Sequence, residues 1–290
     1  MLQLLAHYQV DDPVALIRRL ARAKVEEAKA CLWHGPPYEP EELASFMGVQ
    51  VRPADDDIRA DARIFPDGQG ELQLEYNPLT PRQRIRFSIC HELAHTFFPD
   101  CYEYTRHRGG KTAFDPVHAE FERLCNIGAA ELLMPWDDFS ERMSVRPIDG
   151  SLVLRLREDF DVSLEACLNR IVDLSDRVCA VVMFEEKYSK KELRLGAGSV
   201  REFDFEGAKQ NPKLRVAYSR GSPQWTTYIP KSKSVPLPDS AVYRCVGLSS
   251  FAHGREYWDF LNLRLAVLAI ELPLVTQRDY PSVAAYIEKI

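Results

Sequence analysis

Two histidines and a glutamate stand together in "RFSICHELAHTFF", where His91, Glu92 and His95 are spaced as H-E-x-x-H. Residues four apart on a helix share a face, so the two imidazoles can converge on one ion while Glu92 reaches a water beside it. Zinc held in that way brings a water's pKa to about 7. Glu92 could then take the water's proton and pass it to a leaving amine. The plain alternative is a pair of histidines packed in an ordinary helix with ordinary hydrogen bonds. The helix around them and a third ligand elsewhere decide between the two.

Thr80-Pro81-x-Gln83 has the form of a capping box with proline at the first helical position, and Pro99 closes the run. The pattern predicts a helix over 80–98 with the pentad in its middle. At about 100° per residue, Ile85, Phe87, Ile89, Cys90, Leu93, Ala94, Phe97 and Phe98 cover a wide apolar arc. Ser88, His91, Glu92 and His95 share the remaining sector.

A catalytic zinc takes three protein ligands and keeps one position open. The segment "AFDPVHAEFERLCNIGAAELLMP" is where the third would lie, on a helix opened by Asp115-Pro116 and closed by Met134-Pro135. His118, Glu120 and Glu122 could coordinate. Glu122 shares a stripe with Cys125, Ala129 and Leu133, whose small members permit close helix approach, while Glu120 projects about 160° away. Glu122 is the favoured ligand. His118, one turn earlier, is an alternative ligand, a partner to Glu122, a hydrogen-bond donor to the transition state, or a plain surface histidine. Asn126, one turn later, could orient the Glu122 carboxylate or simply bond across the helix contact. Cys125 reads as core, since no other cysteine stands at metal-site spacing.

The chain around these helices has 290 residues, 46% hydrophobic and 28% charged, which is the composition of a folded protein with a sizeable core. Its 37 basic and 43 acidic residues give a net charge of −6, so no global positive field draws it to nucleic acid. The first residues lack a signal-peptide pattern and no long apolar run is present, which points to the cytoplasm and away from a membrane. Seven scattered cysteines without a C-x-x-C pair are not a disulfide framework and are expected as buried free thiols.

A helix is predicted over 12–32, a short one from Pro40 stopping at Gly48, and a hairpin in "DARIFPDGQGELQLEYN" around Pro66-Asp67-Gly68. "SLVLRLREDFDVSLEACLNRIVDL" reads as two short helices broken at residues 160–163. From about residue 177 the texture turns strand-like in "RVCAVVMFEE", "KELRLGAGSV", "KLRVAYSRG", "TTYIP", "VYRCVGLSSF" and "LRLAVLAIEL". The basic stretches "PKSKS" and "NPKLR", near Trp225 and Tyr228, read as solvated loops in preference to a nucleic-acid surface.

"RFSICHELAHTFF" followed by "FERLCNIGAAELLMP" resembles the ImmA/IrrE family of zinc metallopeptidases, which carry an R-F-x-x-x-H-E-x-x-H helix and then an E-x-x-x-N-x-x-A-A-x-L-L-M-P helix. The likeness extends over roughly residues 36 to 140, taking in "PEELASFMGVQV" and "ELQLEYNP". Cys125 and Gly128 depart from the pattern, which has an alanine and a larger apolar residue there. The resemblance implies that His91, His95 and Glu122 hold Zn2+, that Glu92 is the general base and acid, and that the substrate is a helix-turn-helix repressor encoded nearby, in stress response or mobile-element regulation. Tyr102, Tyr104, His107 and His118 are candidates to stabilise the oxyanion.

The fold expected is α+β. A helical zincin-like metallopeptidase core with a small N-terminal β-sheet would occupy 1–145 and a helix-turn-helix-like connector 146–176. A separate C-terminal α+β or mainly β domain for regulation or partner recognition would occupy 177–290. The function expected is a zinc endopeptidase of narrow specificity. The alternative is a regulatory binding protein with a structural or vestigial zinc site, recognising a repressor or DNA without proteolysis.

Overall fold

The computed structural model describes residues 11–55, 58–99, 116–144, 147–187, 213–235, 239–246, 251–272 and 282–290. Asp115, Tyr102, Tyr104, His107, Cys101 and the stretch "KELRLGAGSV" lie outside them. The chain forms two compact units, Met1–Val145 with Arg155–Ala166, and Arg146–Leu154 with Cys167–Ile290.

In the first unit, helix α1 (Pro13–Ala30) starts as its sequence predicts. Asp12 Oδ1 accepts from the amides of Val14 at 2.9 Å and Ala15 at 3.0 Å, and Pro13 takes a position where no N–H is needed. Leu16, Ile17, Ala21, Val25 and Ala28 form its buried face. Helix α2 (Pro40–Phe46) ends before Gly48, whose φ of +74° a side chain would strain. A three-stranded sheet follows, of β1 (Gln50–Pro53), β2 (Ala62–Pro66) and β3 (Leu72–Tyr76) in the order β1-β3-β2. The hairpin between β2 and β3 is the predicted one: Asp67 Oδ1 accepts from the amides of Gln69 and Glu71 at 2.8 and 2.9 Å. Strand β1 pairs parallel to β3 and was not foreseen; at four residues it is too short to show a period.

The pentad's helix, α3, runs Arg82–His95, so His91 to His95 form its last five residues and not its middle. The expected capping box is not made. Pro81 is the N-cap without a side-chain bond, and Gln83 donates instead to Asp161 Oδ1 at 3.0 Å, beside Arg82 on Asp161 Oδ2 at 2.7 Å. Buried Arg86 is held by Glu39 at 2.7 Å and the Tyr38 carbonyl at 2.8 Å, and lies 3.5 Å from Asp161. Helix α4 (Pro116–Leu133) packs on both α1 and α3. Its contact with α1 holds Glu131, fully buried, against Arg22 at 3.4 Å and Arg18 at 3.6 Å. Helix α5 (Trp136–Ser144) follows, then α6 (Gly150–Asp159) and α7 (Leu164–Leu174), separated where the sequence predicts. Asp161 turns the chain there with φ +47°, a conformation that aspartate tolerates better than most residues. Phe160 packs beside Phe139 and Tyr38, with ring centroids 5.1 and 6.5 Å away.

The second unit is built on a five-stranded antiparallel sheet of β4 (Cys179–Lys187), β5 (Lys213–Gly221), β6 (Phe251–Trp258), β7 (Leu263–Leu272) and β8 (Ser282–Lys289), in the order β5-β4-β8-β7-β6. Phe184, Trp258, Val216, Ala285 and Ile287 lie in its core. The sequence reading missed β8, whose residues 282–287 are all buried, because a strand covered on both faces shows no alternation. Two expected strands are not strands. "TTYIP" forms no ladder, and "VYRCV" is mostly in helix α8 (Ala241–Arg244), turned by Ser240, whose Oγ accepts from the Val242 amide at 3.2 Å. The architecture is therefore α+β, with a sheet-based C-terminal unit. Cys90, Cys125, Cys167, Cys179 and Cys245 are buried free thiols, as expected, whereas Cys31 is exposed. Burial pushes the Cys90 and Cys245 thiols up to about 12, which keeps them protonated and inert. Among the described residues no helix is long and apolar enough to cross a membrane.

Candidate metal centre

The close crossing of α3 and α4 builds the site. Gly128 lies against Ala94: a Cβ there would fall 2.8 Å from the Ala94 Cβ, so only glycine permits this approach without a shift. The crossing sets His91 opposite Glu122 and Asn126, and His95 opposite Phe121 and Cys125.

His91, Glu92 and His95 offer ligand atoms that all lie within 4.8 Å of one another. The two imidazole centroids are 5.0 Å apart. His91 Nε2 lies 3.1 Å from Glu122 Oε2, and His91 Nδ1 lies 3.0 Å from Asn126 Oδ1. Glu122 therefore joins the group through His91, while Glu120 is drawn away into an ion pair with Arg123 at 2.6 Å. Asn126 does not orient the Glu122 carboxylate; it accepts from the His91 ring. A stripe on one helix tells which residues share a face but not which atom across the contact each will meet. His118 Nε2 stands 3.8 Å from the other Glu122 oxygen, with its side chain 36% exposed. Its Nδ1 is buried and has no hydrogen-bond partner among the described residues.

Two contacts had no signal in the sequence. The Ile64 amide of β2 donates to Glu92 Oε2 at 3.1 Å, fixing one carboxylate oxygen against the sheet. Cys125 Sγ lies 3.7 Å from His95 Nδ1. The first is a backbone group and leaves no mark in residue type. The second sits on a residue that reads as core.

Burial is uneven across the group. His95 and Glu92 are only 2% and 5% exposed, whereas the His91 and Glu122 side chains are 16% and 36% exposed. One side is thus dry and the other open to a ligand. Burial opposes ionisation of Glu122, but the hydrogen bond from His91 and the charges of His95, His91 and His118 outweigh it and hold the carboxyl at about 2. The carboxylate is present as an anion at any physiological pH, as a cation ligand must be.

The donor set suits a divalent metal. Two imidazoles and a carboxylate are ligands of zinc, and at ligand distances of about 2.0–2.1 Å in a tetrahedron the donor atoms stand about 3.4 Å apart. The 3.1 Å between His91 Nε2 and Glu122 Oε2 is close to that edge.

Fold and site together define a class: an α+β protein whose helix-borne His-Glu-His group could hold a metal ion. Comparison with known proteins narrows it. Residues 46–172 match the M78 peptidase family, described as the IrrE N-terminal-like domain. The radiation response metalloprotease IrrE of Deinococcus deserti is 24% identical over 142 residues, which are 49% of this chain and 50% of that protein. The chain thus matches about half the length of that relative. A solved structure described as a Mycobacterium tuberculosis transcriptional regulator superposes with a TM-score of 0.55 at 12% identity, covering 94% of this chain and 88% of the other. The last is a likeness of fold. The family model and the IrrE match support an ImmA/IrrE assignment for residues 46–172, a family of metalloproteases, in keeping with the motifs on α3 and α4.

Proposed function

We propose that this chain is a zinc-dependent endopeptidase of narrow specificity, with a zincin-like core and a helix-turn-helix repressor or similar regulatory protein as its substrate. The observation that carries the reading is the His91, Glu92 and His95 group within 4.8 Å, with Glu122 at 3.1 Å from His91. His91, His95 and Glu122 would hold the zinc. When bound, zinc supplies a Lewis acid that polarises a peptide carbonyl and acidifies a water. Glu92, whose Oε2 accepts from the Ile64 amide, would be the general base and acid, taking a proton from a water and delivering it to the leaving amine nitrogen. His118, beside Glu122, is the described residue best placed to donate to a developing oxyanion. The repressor as substrate rests on the family resemblance, and the C-terminal sheet unit is the part available to recognise it.

The test is zinc content and cleavage measured together. The purified protein should hold one zinc, which Glu122→Ala should lose. Glu92→Gln should keep zinc while cleaving a repressor encoded beside the gene about 10²–10⁴-fold more slowly, because only proton transfer is removed. Tight binding of that repressor without cleavage would instead make the chain a regulatory binding protein. Failure of the purified protein to take up zinc would overturn the reading.

A further inference from the structure

The zinc reading gives His91 and His95 the same task, yet the two rings sit in opposite surroundings. His91 is partly open and its Nδ1 meets the amide oxygen of exposed Asn126 at 3.0 Å. His95 is 2% exposed, and its Nδ1 faces the Sγ of Cys125, itself fully buried, at 3.7 Å. Asn126 and Cys125 are neighbours on α4, so one short stretch of one helix reaches the Nδ1 of both histidines.

A metal-binding imidazole nearly always gives its second ring N–H to a partner, which fixes the tautomer and aims the lone pair. With Nδ1 engaged in both rings, Nε2 is the nitrogen that each would offer to an ion, and His91 Nε2 is the atom that faces Glu122. The partner must also suit its surroundings. An amide or carboxylate buried beside His95 would carry further polar atoms into the packed crossing at Ala94 and Gly128, each costly unless bonded. A thiol packs as a small hydrophobe and still offers a weak acceptor. The alanine that the family pattern places at this position has nothing to offer the ring.

Resting on the zinc reading, we propose that Cys125 is a positioning residue whose Sγ accepts the His95 Nδ1–H and so turns His95 Nε2 to the metal. It does for the buried histidine what Asn126 does for the open one. Cys125 is not a ligand, since the ring of His95 stands between its sulfur and the metal-facing nitrogen.

The experiment is zinc affinity of the full chain, by competition with a chromophoric chelator, for wild type, Cys125→Ala and Cys125→Ser, with melting of each metal-free protein recorded alongside. Cys125→Ala should weaken zinc about 10-fold or more, the usual cost of removing a histidine's outer partner. Cys125→Ser should recover most of that, because a hydroxyl accepts the same N–H, and the metal-free melting of the two variants should not follow the same order. Equal affinity in wild type and Cys125→Ala overturns the role of Cys125 while leaving the zinc reading intact. Serine as weak as alanine overturns it too; a sulfur-to-cobalt charge-transfer band in the Co2+-loaded wild type would then make Cys125 a ligand, and its absence would assign it to packing alone. A wild type that binds no zinc overturns the metallopeptidase reading and this one with it.

Discussion

Asp161 lies outside the metal group, yet it holds the start of the helix that carries the histidines. Burial works against its charge, but hydrogen bonds from Arg82 and Gln83 and the charges of Arg86 and Arg82 lower its pKa below the ordinary 3.8. A carboxyl depressed in the folded state adds stability that is fully present above the unfolded value. That stability is lost as pH falls through the lower folded value, so it belongs to the acid limb, below about pH 4. Asp161→Asn keeps the residue's tolerance of φ +47° and removes only the charge. The variant should be less stable than wild type at pH 7, with the difference shrinking toward zero as the acid limb is descended. Urea midpoints across pH measure this, and a difference independent of pH would sink the electrostatic account. This tether is also where the sequence misled: Gln83 has the spacing of a capping residue, but its amide is captured by a carboxylate 78 positions away. His91 and His95 were legible as neighbours because helical periodicity is local, whereas Glu122 meets His91 only through the packing of a second helix. The Ile64 amide on Glu92 was not, because no side chain announces it.

The crossing of α3 on α4 is the element-scale feature that makes the group possible. Glu122 and Asn126 reach His91 only because Gly128 lets α4 come down onto Ala94, and a Cβ there would stand 2.8 Å from the Ala94 Cβ. That neighbour is a short, rigid side chain on a packed helix, so the helices themselves must part. Gly128→Ala is expected to gain helix propensity yet lose about 1–3 kcal/mol to overpacking, with a net fall in denaturation midpoint. It should also weaken zinc binding, because the shift falls directly on the His91–Glu122 pair. Denaturant titration and chelator competition on one preparation measure both, and a variant as stable and as tight as wild type would show that the close approach is dispensable. The small residues at 125 and 129 made a close helix contact readable in advance. Which helix they would meet, and that Cys125 would find a histidine, depended on long-range packing that no local pattern carries.

At the scale of the whole molecule, the chain passes between its two units at residues 145/146, 154/155 and 166/167. The helical stretch 146–176 therefore serves both. Its middle gives the first unit Phe160, fully buried beside Phe139 and Tyr38, and Asp161, which holds Arg82 and Gln83. Its ends belong with the sheet: Gly150 lies so close under Phe251 that a Cβ would clash with the ring, and Asp173 accepts from Arg220 Nε and Nη2 at 2.8 and 2.6 Å. No single cut respects both memberships. A fragment ending at 145 keeps every proposed zinc ligand but loses Phe160, whose removal from a core costs about 3–5 kcal/mol, and leaves α3 untethered. A fragment ending at 176 restores Phe160 and Asp161 but cuts buried Leu152, Val153, Leu168, Ile171 and Val172 from the rest of the unit to which they belong, and apolar surface left exposed there would associate. The shorter fragment should melt well below the full chain and the longer one should self-associate, as followed by circular dichroism and size-exclusion chromatography. A 145-residue fragment that melted with the full chain and bound zinc as tightly would show that the metal group needs nothing from beyond α5. If both fragments fail as described, the metal group and the C-terminal sheet were not joined as independent modules, and any signal that loosens the shared helices in one unit has a covalent path to the other.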